Sequence, residues 1–223
     1  MIPLRDSTHS ASFPMVTVGL IILNFVIFIS QLSLGAGEIE QMLETWGLTP
    51  FNFASGQSDK IAYSTFISYM FLHGGWMHLL GNMWSLWLFG DNLEDKMGKL
   101  RFFFFYIICG IIAALVHYAV FPNSHIPVIG ASGAVAGIMG AYFLMFKRAR
   151  VFTYIPPLFF VNLPAWIFLG FWILSQIWGG TFAVFGVKSY SNVAFWAHIG
   201  GFAAGMILYR AFLKSDKEEF FES

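Results

Sequence analysis

Residues 102–146 read FFFFYIICGIIAALVHYAVFPNSHIPVIGASGAVAGIMGAYFLMF and contain no Asp, Glu, Lys or Arg. A helix crossing about 30 Å of hydrocarbon needs about 20 residues, so this uncharged run is too long for one crossing. The turn cluster Phe121-Pro122-Asn123-Ser124-His125-Ile126-Pro127 divides it, because proline lacks an amide proton and biases the residue before it away from helix. Two spans of ordinary length result, at 102–120 and 132–146.

Four further runs lack charge: 7–37, 61–90, 151–187 and 189–209. In 151–187, Pro156, Pro157 and Pro164 cluster near the start, leaving one helix over about 165–183 after an irregular lead-in. The remaining spans are read at 16–34, 61–90 and 191–213. The expectation is an all-α membrane protein: a six-transmembrane-helix bundle forming one domain over 1–223. Short tails lie at about 1–14 and 214–223, and a long outer loop at about 35–60.

Composition points the same way. Of 223 residues 12 are basic and 12 acidic, so 11% are charged, 57% are hydrophobic and 19% aromatic, with mean hydropathy +0.68. Soluble domains carry about 25% charge, so a disordered chain, a water-soluble globule and a nucleic-acid binder with a basic face are excluded. The single cysteine, Cys109, excludes an intramolecular disulfide and a Cys-clustered zinc site, and its apolar surroundings suggest an inert helix thiol. Arg5 before the first span and Gly35-Ala36-Gly37 after it raise the alternative of a signal peptide, but the apolar stretch exceeds the usual length. No internal repeat is apparent, which counts against an inverted-repeat transporter.

With the N-terminus inside, the inner segments hold Arg5, Lys96, Lys99, Arg101, Lys147, Arg148, Arg150, Arg210, Lys214 and Lys217, while the outer ones keep Lys60 and Lys188. That asymmetry predicts an N-in, C-in topology. Trp46, Phe51 and Phe53, beside Glu38, Glu40 and Glu44 in the outer loop, read as an interfacial aromatic anchor.

Polar side chains within a span are costly, so each asks for a reason. His78 and Asn82 stand four residues apart and share a helix face, with His73 a further turn and a half outward. Ser132 lies in Gly130-Ala131-Ser132-Gly133, where the loop after Pro127 becomes the fourth span, and His198 lies on the sixth in Ala197-His198-Ile199-Gly200-Gly201. The topology puts all of them at similar depth on the outer side; about seven residues into its helix, His198 sits about 10 Å down. Small residues form one row at Gly133, Gly137 and Ala141 and another at Ala197, Gly201 and Gly205, allowing the two helices to approach closely. Ser132 Oγ then comes within reach of His198, which can take its proton and make a weak hydroxyl nucleophilic. Unpaired amides at the helix start, joined by His78 and Asn82, would stabilise an oxyanion. Taken singly, each has a plainer explanation: a lone Ser bonds back to its own helix, a lone His packs, and small-residue rows are common. Four such groups at one depth favour catalysis.

The run His73-x-x-x-x-His78-x-x-x-Asn82, the motif Gly130-Ala131-Ser132-Gly133 and Ala197-His198-x-Gly200-Gly201-x-x-x-Gly205 resemble the three signatures of the rhomboid intramembrane serine proteases, in the family's order. Phe89-Gly90-Asp91-Asn92-Leu93-Glu94-Asp95-Lys96-Met97-Gly98 is similar to the family's junction between second and third helices, and the similarity covers roughly 60 to 210. The resemblance implies peptide-bond hydrolysis inside the membrane by a serine–histidine dyad, with no third acid, metal or other cofactor. Carried over by position, Ser132 is the nucleophile, His198 the general base and then acid, and His78 and Asn82 the side-chain oxyanion donors. His73 takes a structural role and Glu94 organises the cytoplasmic junction. The implied partners are transmembrane segments of other proteins, cut near the outer face at a small residue, and membrane lipids, not nucleic acid. A compact bacterial form fits best, in the inner membrane with its site open to the periplasmic or extracellular side.

The residues support a dyad independently. No Asp or Glu occurs between Lys96 and Ser215, which disfavours both a Ser-His-Asp triad and an aspartyl protease. His73 and His78 lack the HExxH spacing of a zinc protease. The chain departs from some family members at Ala136, where an aromatic ring would pack on the histidine; Tyr142, Trp196 and Phe202 are candidate substitutes. Phe168, Phe171, Trp172, Trp178 and Phe182 on the fifth span either form a movable helix that admits substrate or simply face lipid. A water path is expected near His73, Asn123 and His125, with His117 in the same region. Two rival readings remain: a catalytically inactive rhomboid-like protein that binds transmembrane helices, and a small transporter, which would more often carry an intramembrane carboxylate and a repeat.

Overall fold

The computed structural model describes residues 1–8, 10–55, 60–187 and 193–214. Among them the chain begins with strand β1 (Ile2–Asp6) and runs through helices α1 (Met15–Leu32), α2 (Ala36–Trp46), α3 (Pro50–Ala54) and α4 (Lys60–Ser68). A 3-10 turn over Tyr69–Phe71 leads into α5 (Trp76–Met97), α6 (Lys99–Val120) and α7 (Ser132–Met145). Strands β2 (Arg150–Ile155) and β3 (Phe159–Pro164) precede α8 (Ala165–Val184) and α9 (Phe195–Phe212). Three described helices, α1, α6 and α8, are long and apolar enough to cross a membrane, and α7 is a shorter apolar helix. The expected start of the sixth span at 191, the tail from 215, and His9, Lys188 and Lys217 lie outside the described residues.

The break at 121–127 separates α6 from α7, and α8 matches the single helix expected after the prolines. Three expectations need correction. First, 61–90 is two helices, not one, and His73 lies in the extended link before α5, not on it. Gly74-Gly75 is a poor helix former, and the core draws this segment inward. Tyr69 is fully buried and its hydroxyl donates to the Gly110 carbonyl at 2.7 Å. A Cβ at Gly110 would strike the Met70 sulfur, so only glycine lets α6 receive this turn. Gln31 on α1 then clamps the link: its amide nitrogen donates to the His73 carbonyl at 3.2 Å, and its oxygen accepts the His73 amide at 3.1 Å.

Second, the chain is not purely helical. β1 pairs antiparallel with β2, and β2 with β3, in a three-stranded sheet. Pro156-Pro157 forms the turn between β2 and β3, with Val151 and Thr153 buried at alternate positions, as a strand with one covered face requires. The expected irregular lead-in to α8 is therefore a hairpin, and the expected N-terminal tail supplies a strand. Third, the segment expected to be an outer loop contains α2 and α3, and two of its rings face protein. Phe53 packs against Tyr63, Phe66 and Tyr118, while Phe51 stacks on His125 with centroids 3.9 Å apart. Trp46 alone of the three remains exposed.

Two devices fix the helices that carry the polar groups. Pro14 offers α1 no side-chain cap, and Glu94 of α5 supplies one instead. Its carboxylate accepts the amides of Val16 and Thr17 at 2.9 and 2.8 Å and the Thr17 hydroxyl at 2.9 Å, placing negative charge at a helix N-terminus. α7 and α9 meet glycine to backbone: a Cβ at Gly201 would fall on the Gly133 carbonyl, one at Gly205 on that of Gly137, and one at Gly140 on that of Phe202. Cys109, fully buried, packs against Gly137.

Candidate active site

The segment before α7 is shaped by close approach. Gly130 has φ +117°, a conformation that favours glycine, and its amide donates to the Tyr69 carbonyl at 2.8 Å. A side chain there would meet His78 Nε2 at 2.5 Å, so the imidazole of α5 lies directly against the turn that leads to Ser132. Ser132 is the first residue of α7, where the opening amides have no carbonyl one turn earlier to pair with.

His198 sits in the first turn of α9, and its Nε2 lies 2.8 Å from Ser132 Oγ. The close α7–α9 packing brings together two groups that are 66 residues apart in sequence. Its other ring nitrogen, Nδ1, is 2.8 Å from Oε1 of Gln176 on α8. Gln176 was not singled out from the sequence, although it is a polar residue within an uncharged span. No aromatic side chain extends from position 136. Of the three candidate substitutes, Tyr142 hydrogen-bonds Asp6 and Thr8, Trp196 donates to the Gly180 carbonyl, and Phe202 pairs with Phe143 and Trp172. The rings beside His198 are Trp172, at 5.9 Å and 37°, and Phe195, at 6.5 Å and 82°.

His78 and Asn82 face the same space. The Gly74 amide approaches His78 Nδ1 at 3.5 Å, which favours the tautomer with the proton on Nε2, turned toward Gly130. The Asn82 amide donates one hydrogen to His73 Nε2 at 3.0 Å and retains the second. A cavity of about 650 Å³ joins these groups, lined by Gly74, His78, Asn82, His117, Ser132 and His198 among others. His73, Asn123 and His125, expected near a water path, are not among its lining residues, whereas His117 is. Chemically, the arrangement offers a hydroxyl with a base for its proton, and N–H groups around the position a carbonyl oxygen would take.

The chain is similar to "Putative rhomboid protease YdcA" of Bacillus subtilis (strain 168), with 42% identity over 79 residues, 35% of this chain and 39% of that protein. It is 40% identical over 75 residues to RHOMBOID-like protein 5 of Arabidopsis thaliana, covering 34% of this chain and 24% of that one. It is 27% identical over 154 residues to Rhomboid-like protein 11, chloroplastic, also of Arabidopsis thaliana, covering 66% and 51% respectively. The chain thus spans about half the length of these relatives or less. The family model described as "Rhomboid domain" matches residues 60–215, well over half of the sequence, and the chain belongs to the rhomboid family.

Proposed function

We propose that the protein is an intramembrane serine endopeptidase that hydrolyses transmembrane segments of other membrane proteins near the outer face. The observation that carries this reading is the 2.8 Å contact between Ser132 Oγ and His198 Nε2, at the edge of a cavity large enough for several residues of extended chain. Ser132 attacks the scissile carbonyl as Nε2 accepts its proton, and the oxyanion receives hydrogen bonds from the α7 N-terminal amides, His78 and Asn82. The imidazolium then protonates the leaving amine. Water follows the same route in reverse order, losing its proton to His198 as it attacks the acyl-enzyme and freeing Ser132.

In this reading α1, α5, α6, α7, α8 and α9 are six spans with both termini inside, supported by the ten-to-two distribution of basic residues. The bacterial inner membrane is the proposed compartment, although relatives of the chain include proteins named chloroplastic and mitochondrial. A fluorophosphonate probe on detergent-solubilised protein tests the reading, together with mass spectrometry of products from a model transmembrane substrate. Labelling and cleavage that vanish in both Ser132→Ala and His198→Ala are expected. Equal labelling in Ser132→Ala overturns it and leaves a rhomboid-like protein that binds transmembrane helices without cutting them.

A further inference from the structure

We propose that Gln176 is the positioning residue for His198, using a neutral amide where a serine–histidine–acid triad uses a carboxylate. The inference rests on the dyad proposed above and assigns a role to a residue on a third helix. Its starting point is the 2.8 Å contact between Gln176 Oε1 and His198 Nδ1.

The hydrogen-bond network fixes which way each group points. The Gln176 amide nitrogen donates to the Trp172 carbonyl at 3.4 Å and to the Ser175 hydroxyl at 2.9 Å, so the nitrogen end turns back along α8 and the oxygen end meets the imidazole. An amide oxygen only accepts, so Nδ1 carries the ring proton. Nε2 is then the lone-pair nitrogen, and at 2.8 Å it accepts the Ser132 hydroxyl. Reversing the tautomer would set a ring N–H against the serine and remove the base. Trp172 flanks the same ring and stands four residues before Gln176, so one face of α8 both packs the base and orients it.

The docking of α8 on α9 keeps that face in place. A Cβ at Gly179 would lie 2.5 Å from the Phe195 ring, and the Trp196 indole donates to the Gly180 carbonyl at 3.1 Å. Both contacts lie one turn from Gln176 and one turn or less from His198.

The experiment compares Gln176→Met, which keeps length and loses the acceptor, with Gln176→Glu, which keeps an acceptor oxygen. Turnover and KM are measured on a model transmembrane substrate, with melting temperature as a check on folding. Loss of one orienting hydrogen bond and the resulting ring rotation should lower kcat about 10- to 100-fold in Gln176→Met, with KM changed less than about threefold. Gln176→Glu should recover at least about a third of the wild-type kcat. If Gln176→Met does not extract as a folded protein, Gln176→Ala replaces it with the same expected direction. Wild-type kcat in the acceptor-less variant, or equal loss in Gln176→Met and Gln176→Glu, overturns the proposal while Ser132→Ala stays inactive. Full cleavage by Ser132→Ala removes the dyad itself, and the role of Gln176 with it.

Discussion

Gly201→Ala should part the two helices that carry Ser132 and His198. A Cβ added at 201 falls on the carbonyl oxygen of Gly133, next to the serine, and comes to 3.4 Å from Ala136 Cβ. Carbon and oxygen stop approaching at about 3.3 Å, so α9 must retreat from α7 locally by about 1 Å. His198 lies three residues away on the same helix, and its Nε2 would move from 2.8 Å to roughly 4 Å from Ser132 Oγ, beyond hydrogen-bond reach. Overpacking of this kind costs about 1–3 kcal/mol, equivalent to about 2–12 °C in Tm for a chain of this length. A misplacement of about 1 Å in a catalytic group lowers turnover by about 10²-fold. The assay is cleavage of a model transmembrane substrate in detergent, paired with thermal unfolding followed by tryptophan fluorescence. Gly19→Ala is the control, since a Cβ there meets nothing within 4 Å. Gly201→Ala that remains folded at 25 °C but turns over about 100-fold more slowly is the expected result. Wild-type turnover accompanied by a lowered Tm would refute the argument that this glycine contact sets the serine–histidine distance.

Glu94→Gln removes the charge from the α1 cap and leaves a single acceptor oxygen for three donors; losing one charge-assisted bond, worth about 1.5–3 kcal/mol, should lower Tm by about 3–12 °C. Turnover at 25 °C should stay within about threefold, because the cap lies far from the cavity in the chain and touches none of its lining groups. Asn82→Ala should lower kcat by about 10²–10³ if its second amide hydrogen reaches the oxyanion; a loss near that of His73→Phe would instead assign Asn82 to holding His73. Cleavage should survive EDTA, and loss restored by added zinc would reopen a metal-dependent mechanism.

The elements that the sequence revealed are those whose limits are local. α6, α7 and α8 are bounded by charged residues or by proline clusters, and each was found to within a few residues. The division of 61–90 was hidden because Gly74-Gly75 sits inside an uncharged run, and what pulls the link inward is a Tyr69 hydrogen bond to a carbonyl 41 residues away. The sheet was hidden for the same reason. Pro156-Pro157 was visible as an interruption, but β2 becomes a central strand only when Ile2–Asp6 returns from the far end of the chain to pair with it. Long-range pairing leaves little local trace beyond alternation, and the burial of Val151 and Thr153 shows that alternation over only a few residues.

The site divides along the same line. Ser132, His198, His78 and Asn82, which line one cavity, stand out as candidates because each is a polar type suited to acyl transfer, set in a span where polarity is costly. Gln176 meets the second condition and fails the first: its contribution exists only through the ring nitrogen it touches, and that contact needs α8 and α9 docked side by side. Ala136 is legible as a missing ring, whereas the rings that do lie beside His198 include Trp172 of another helix, which only the fold reveals. This placement has a mechanical consequence. An aromatic residue at 136 would tie the orientation of the base to α7, which already carries the serine. Trp172 and Gln176 contact the His198 ring from α8 instead, so on the proposed dyad the base keeps its orientation only while α8 is packed against α9. Any movement of α8 that parted the segment from Trp172 to Gln176 from α9 would therefore break the Gln176–His198 contact and withdraw the Trp172 ring together.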